Sequence, residues 1–189
     1  MNKLRELRNI IASLDETLVR ALCNRAKFKL NSGLYNAEPS CGLITEIANI
    51  FGASSTIASR AHIIRPVYIN HILPILCESG ADEDCRKCIS ADSSCMNALV
   101  QRLNLSVHVA TLKKEEIPES LCAAIEQGDP VLLEAAITNQ AVETEVIKRT
   151  LEMTREQLGS DELQHKVAKL YSEWVIPISR KIQVHDLLI

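Results

Sequence analysis

Leu4, Leu7, Ile11, Leu14, Leu18, Ala21 and Phe28 recur at alternating steps of three and four, with Arg25 standing where the next apolar residue is due. That spacing predicts one long amphipathic helix with a core-facing stripe, ending near Asn31-Ser-Gly33. From Ser32 to Ala91 the pattern breaks up. Gly33, Gly42, Gly52 and Gly80, with Pro39, Pro66 and Pro74, favour short helices separated by turns, placed near 42–50, 55–63 and 66–78. From Asp92 a stripe of Met96, Leu99, Leu103, Val107 and Ala110 predicts a helix running to about Lys114. A short helix then leads to Gly128-Asp129-Pro130, which supplies a C′ glycine, an N-cap aspartate and a proline suited to the first helical position. The next helix is expected to reach about Leu158. Gly159-Ser160-Asp161 repeats the punctuation, and a last helix covers about 161–188 with Pro177 inside it, where proline should kink the axis and free a carbonyl. No strand-like alternation of useful length and no short-period repeat is present. The expected architecture is therefore a single all-α domain, residues 1–189, built as a helical bundle.

Composition narrows the function more than the fold. The 189 residues are 47% hydrophobic and 24% charged, enough to bury a sizeable core. Lys+Arg number 21 against 24 for Asp+Glu, a net charge of −3, which argues against a nucleic-acid-binding surface or a polybasic membrane anchor. Aromatics make up 3%, too few for base-stacking platforms. The opening Met1-Asn-Lys-Leu-Arg-Glu-Leu-Arg alternates charge with leucine and does not read as a signal peptide, and no run approaches the roughly 18 apolar residues of a membrane span. Cysteines number seven, an odd count that favours free thiols in a reducing compartment, so the cytosol is the expected location.

Cys77, Cys85, Cys88 and Cys95 lie close together, and Cys85-Arg-Lys-Cys88 has the spacing of half a zinc knuckle. With a single Cys-x-x-Cys, a structural zinc and a redox pair remain secondary readings. An exposed loop of free thiols is the preferred one. The histidines at 62, 71, 108, 165 and 185 show no metal-ligand spacing beside them.

A helix bundle builds ligand sites from polar side chains pointing inward. Arg102 and Lys113 share a face with Ser106 and Val109, about three turns or roughly 16 Å of rise apart. Asn139 and Glu143 stand four apart in an apolar segment, Ser179 and Gln183 four apart after Pro177, and Arg8 lies beside the first apolar stripe. Each alone reads more readily as a solvated or snorkelling residue than as a functional one.

The stretch Leu170-Tyr-Ser-Glu-Trp-Val-Ile-Pro-Ile-Ser-Arg-Lys-Ile-Gln-Val-His-Asp-Leu-Leu188 closely resembles the final helix of the fungal and plant type of chorismate mutase, the all-α class of that enzyme. Leu7-Arg-Asn-Ile-Ile-Ala-Ser-Leu-Asp-Glu-Thr-Leu18 resembles the family's first helix, Asp92 to Arg102 and on to Lys113 its arginine-and-lysine helix, and Thr138-Asn-Gln-Ala-Val-Glu143 its asparagine-and-glutamate segment. The resemblance covers about 4–28 and 92–189. Over 32–91 the family's longer regulatory segment has no recognisable counterpart, so feedback by aromatic amino acids is not implied.

The resemblance implies a chorismate mutase II-type bundle that rearranges chorismate to prephenate, a pericyclic step that calls for no metal or other cofactor. Arg8 and Arg102 would grip the two carboxylates of the substrate. Lys113 and Gln183 would donate to the breaking ether oxygen. Glu143 and Asn139 would hold the ring hydroxyl, and Ser179 would add a bond to a carboxylate. Gln183 stands where fungal members carry a glutamate that must be protonated, so activity is expected without an acidic pH. Arg25 competes with Arg102, since short bacterial members use the arginine at its position; the present reading treats it as a paired or snorkelling residue. All seven residues lie in one chain, which implies a site within one subunit, and a homodimer is the expected assembly. The rivals are an isochorismate pyruvate lyase on the same fold and a noncatalytic helical regulatory module.

Overall fold

The computed structural model describes residues 3–35, 61–115, 119–158 and 160–189. Among these the chain forms seven helices and no strand, in agreement with the all-α expectation. We label them α1 (Lys3–Arg25), α2 (Ala61–Val67, a π-helical turn at Tyr68–Ile72, then Leu73–Leu76) and α3 (Arg86–Glu115). There follow α4 (Glu119–Gln127), α5 (Pro130–Ile137), α6 (Gln140–Leu158) and α7 (Asp161–Leu170, a π-helical turn at Tyr171–Val175, then Ile176–Leu188).

Three boundaries differ from the sequence reading. Helix α1 stops at Arg25 instead of near Gly33, because the Arg25 guanidinium takes the carbonyls of Phe28, Lys29 and Leu30 and Asn31 turns into the left-handed region at φ 53°. Helix α3 starts at Arg86, well before Asp92, since its first turns bury small residues, Cys88, Ala91 and Cys95, that carry a faint apolar signal. The helix expected to run from Pro130 to Leu158 is two helices. Asn139 interrupts it as the N-cap of α6, accepting from Val142 N at 3.1 Å, while Thr138 Oγ1 donates to Glu134 O at 2.6 Å and closes α5. Ahead of Pro177 helix α7 forms a π-helical turn, in which Ile176 N–H bonds to Tyr171 O. The wider turn moves the preceding carbonyls off the proline ring, and α2 solves Pro74 the same way with Leu73 N–H on Tyr68 O. The helices expected near 42–50 and over most of 55–63 lie outside the described residues, whereas the one expected over 66–78 corresponds to α2, which begins earlier and ends at Leu76.

Punctuation elsewhere is as expected. Gly128 has φ +64°, Asp129 Oδ1 accepts from Val131 N at 2.8 Å, and Pro130 opens α5. Ser160 Oγ accepts from Leu163 N and caps α7.

Helices α1 and α3 pack antiparallel: Lys3 Nζ meets Glu115 at one end and Arg25 meets Asp92 at the other. Helix α6 runs beside α1 and α7 beside α3. The main core packs Leu18, Leu22, Leu73, Leu76, Leu99, Leu103, Val167, Leu170 and Ile182, each such leucine contributing roughly 1.5–3 kcal/mol. A smaller core of Ala110, Leu121, Ala124, Leu133, Ile137, Val184 and Leu187 joins α4 and α5 to the ends of α3 and α7. Among the described residues no helix is long and apolar enough to cross a membrane.

The α1–α3 pair hides a repeat. Asp15 with Ala21-Leu22-Cys23-Asn24-Arg25 on α1 matches Asp92 with Ala98-Leu99-Val100-Gln101-Arg102 on α3. Antiparallel packing crosses the two copies: Arg25 Nε donates to Asp92 Oδ1 and Arg102 Nε to Asp15 Oδ1, both at 2.5 Å. Tyr68 and Tyr171, each opening a π-helical turn, then donate to Asp92 and Asp15. His71 and Trp174, each three residues further along, stack at 4.2 Å between centroids.

Candidate active site

A cavity of about 720 Å³ opens between α1, α3, the α5–α6 junction, α6 and α7. Arg8, Arg102, Lys113, Asn139, Glu143, Ser179 and Gln183 all line it. Five cationic side chains, Arg8, Arg102, Lys113, Arg149 and Arg180, face Glu143 and Glu145 among the lining residues. A chain that is acidic on average thus surrounds this space with positive charge, which suits a small anion rather than a polyanion.

Arg102 is 5% exposed and held by Asp15, whose other oxygen accepts from Arg149 Nη2 at 3.0 Å. Tyr171 donates to the same carboxylate, and burial together with the Asp15 charge pushes its phenol well above its usual range, so it remains a donor. With Nε engaged by Asp15, the outer edge of the Arg102 guanidinium is left to meet a ligand.

Lys113 sits about three turns further along the same face of α3. Its ammonium donates to Ile137 O at 2.9 Å and to Gln183 Oε1 at 3.0 Å. Burial and the nearby charge of Arg8 push it down to about 8, partly opposed by Glu143. Because Lys113 can only donate, Oε1 of Gln183 must face it, and Nε2 turns to Ser179 O at 3.1 Å and Ser179 Oγ at 3.3 Å. Ser179 Oγ also pairs with Ser106 Oγ at 2.8 Å in a buried contact. Asn139 Oδ1 is committed to the α6 cap, which leaves its amide N–H groups for a ligand. Arg180 completes the wall, with Nη1 3.5 Å from Glu143 Oε1 and 3.4 Å from Thr138 Oγ1.

Arg25 is not in this cavity. It is fully buried, and beyond Asp92 it donates to three carbonyls and to Tyr35 Oη, with Cys77 Sγ at 3.2 Å. Of the two roles weighed for it, pairing is the one observed.

The exposed thiol loop is corrected. Cys77, Cys88 and Cys95 are buried and Cys85 is half-buried. The segment after α2 is stitched to the end of α1 by Leu30 N on Glu78 O and Asn31 N on Gly80 O, and Asp82 Oδ2 takes Lys29 N and Asn31 Nδ2. Burial pushes the Cys77 thiol up to about 11 and Cys95 up to about 12. Among the described residues no group of three His, Cys, Asp or Glu side chains could hold a metal ion.

Asp15, Arg149, Tyr171 and Arg180 were not singled out by the sequence. The first had a readable signal, the Asp-x9-Arg repeat, whereas Arg149 and Arg180 sit on helices with charged residues on several faces.

No protein-family model matches the chain. It is 30% identical over 137 residues to chorismate mutase 3, chloroplastic, of Arabidopsis thaliana, covering 65% of this chain and 43% of that protein. It is 32% identical over 139 residues to the chorismate mutase of Pichia angusta, covering 66% and 49%. It is 25% identical over 173 residues to chorismate mutase 2, cytosolic, of Zea mays, covering 84% and 66%. The chain thus spans between 43% and 66% of the length of these relatives. Its fold matches the crystal structure of the chloroplast chorismate mutase of Zea mays at a TM-score of 0.80 and 22% identity, covering 98% of this chain and 94% of that one. The chorismate mutase of Candida albicans in complex with L-Trp matches at 0.76 and 20%, covering 97% and 90%.

Proposed function

We propose that the chain belongs to the all-α chorismate mutase family of plants and fungi and that it rearranges chorismate to prephenate in the cavity between α1, α3, α6 and α7. The observation that carries the proposal is the convergence of Arg8, Arg102, Lys113, Asn139, Glu143, Ser179 and Gln183 on one cavity.

The reaction is unimolecular. A flexible dianion must be held in a compact conformer while its ether bond breaks and a carbon–carbon bond forms, so the protein supplies placement and charge. Arg102, fixed by Asp15, grips one carboxylate with its free edge, aided by Ser179. Arg8 grips the other from α1. A rigid fork fixes direction where an ammonium would fix only distance. Glu143 and the Asn139 amide take the ring hydroxyl. As negative charge grows on the ether oxygen, Lys113 turns from the Ile137 carbonyl toward it, and Gln183 Nε2 leaves Ser179 to add a second donor. Bonds that tighten in the transition state accelerate the step, and removal of one such donor costs about 10²–10³ in kcat. The proposal carries with it a cytosolic homodimer, whose assembly light scattering of the pure protein tests.

The decisive experiment incubates pure protein with chorismate at neutral pH, follows loss of its absorbance, and identifies prephenate by NMR; isochorismate is run in parallel. Prephenate from chorismate is the expected product. Pyruvate release from isochorismate without prephenate formation would transfer the site to the lyase, and no turnover of either would sink the enzyme reading.

A further inference from the structure

Arg180 follows Ser179 on α7 and reaches across the cavity wall to the junction of α5 and α6. Its Nε lies 3.5 Å from Glu134 Oε1 on α5, and Nη1 lies 3.4 Å from Thr138 Oγ1 at the junction and 3.5 Å from Glu143 Oε1 on α6. One guanidinium therefore ties α7 to both helices and to the break between them. The same break presents the Ile137 carbonyl to Lys113 and starts the α6 cap at Asn139. All three contacts stand at the long end of the hydrogen-bond range, and Nε is buried without a hydrogen-bond partner. Such a fork retains unspent donors that tighten if the junction moves inward or Glu143 turns. A direct grip on substrate is the weaker role. The two carboxylates of the dianion already have Arg8 and Arg102, and the contacts of Arg180 all point to the α5–α6 side.

Resting on the mutase reading, we propose that Arg180 is a positioning residue: it holds Glu143 and the α5–α6 junction in register with α7, so that Glu143 meets the ring hydroxyl of chorismate. It acts through Glu143 and leaves the carboxylates of the substrate to the other arginines.

Steady-state kinetics on chorismate with Arg180→Gln, Arg180→Lys, Glu143→Gln and the Arg180→Gln/Glu143→Gln double variant test this, with circular dichroism melts to establish folding. Misplacement of a contact group predicts that Arg180→Gln lowers kcat about tenfold or more with KM changed less than about threefold. In the Glu143→Gln background the same change should cost less than about twofold further, because the group through which it acts is already altered. Arg180→Lys keeps the charge but cannot bridge three partners, so it should recover part of the loss. Equal losses in both backgrounds overturn the proposal, as does a rise in KM with kcat intact, the signature of a substrate carboxylate ligand. A lowered melting temperature with wild-type kinetics overturns it as well. If the unaltered protein turns over no chorismate, the mutase reading and this proposal fall together; an active wild type with independent losses removes only the role of Arg180.

Discussion

Lys113 combines a buried ammonium, a repelling neighbour and two acceptors, and its chemistry sets an upper pH limit on the proposed reaction. With its proton held up to about pH 8, it is mostly charged at neutrality. As pH rises past that value the ammonium is lost, and with it one cation for the dianion and one donor for the ether oxygen. The expected outcome is a kcat/KM that falls about tenfold per pH unit above pH 8. A bound dianion favours the charged form, so the corresponding limb in kcat should lie at higher pH, and coincident limbs would argue that another group titrates. Gln183 sets the opposite limit. Its amide donates at any pH, so activity should be flat between about pH 5 and 7. In Gln183→Glu the new carboxyl, 3.0 Å from an ammonium where the amide oxygen stood, is ionised at neutrality and repels the growing negative charge. Activity of that variant should rise steeply as pH falls below about 6, and a flat profile would remove Gln183 from the ether oxygen.

At the scale of the elements, the chain signalled its helices better than their ends. The stripes on α1 and α3 and the Gly128-Asp129-Pro130 and Gly159-Ser160-Asp161 punctuation announced themselves because apolar spacing and special backbone residues are local properties. Two kinds of boundary did not. The start of α3 is buried through cysteines and alanine, whose small side chains carry little periodic signal, and the α5–α6 break contains neither glycine nor proline. Its signature, an asparagine followed by an acidic first turn at Glu143, reads equally well as two polar residues on one continuous helix. This break gives Asn139 two separable jobs. Asn139→Ser keeps a capping oxygen and discards the amide donors, so stability should change by less than about 0.5 kcal/mol while kcat/KM falls. Asn139→Ala discards both and should in addition lower stability by about 1 kcal/mol in denaturant titrations. Equal activity in the serine variant and the wild type would leave Asn139 as a cap and nothing more.

Over the whole molecule, the two crossed ion pairs show why the site was only partly legible. The residues named in advance came from short stretches resembling a known family, and they converge on one cavity. What positions them came from packing between distant segments: of the groups around Arg102, Asp15 shows only in the Asp-x9-Arg repeat, Arg149 and Tyr171 have no local signature, and the inward charge of the cavity is invisible in a net charge of −3. The matched pairs also differ in a way that separates folding from catalysis. Removal of Arg25 leaves Asp92 with two tyrosine hydroxyls and no cation, and takes a donor from the half-buried Phe28 and Leu30 carbonyls, while Lys29 O keeps Asn31 Nδ2. Breaking a buried pair in this manner costs about 3–5 kcal/mol. Removal of Arg102 leaves Asp15 still paired with Arg149 and hydrogen-bonded by Tyr171, so the structural cost should be smaller. The site tells the reverse story, since Arg102 lines the cavity and Arg25 does not. Arg25→Ala should therefore show the larger drop in melting temperature, with kcat/KM within about threefold of wild type when assayed cold enough to stay folded. Arg102→Ala should melt closer to wild type yet lose at least about 10² in kcat/KM. If Arg25→Ala, shown to be folded, lost activity as severely as Arg102→Ala, substrate would have to reach the Arg25–Asp92 end of the bundle, and the single-cavity account would fail.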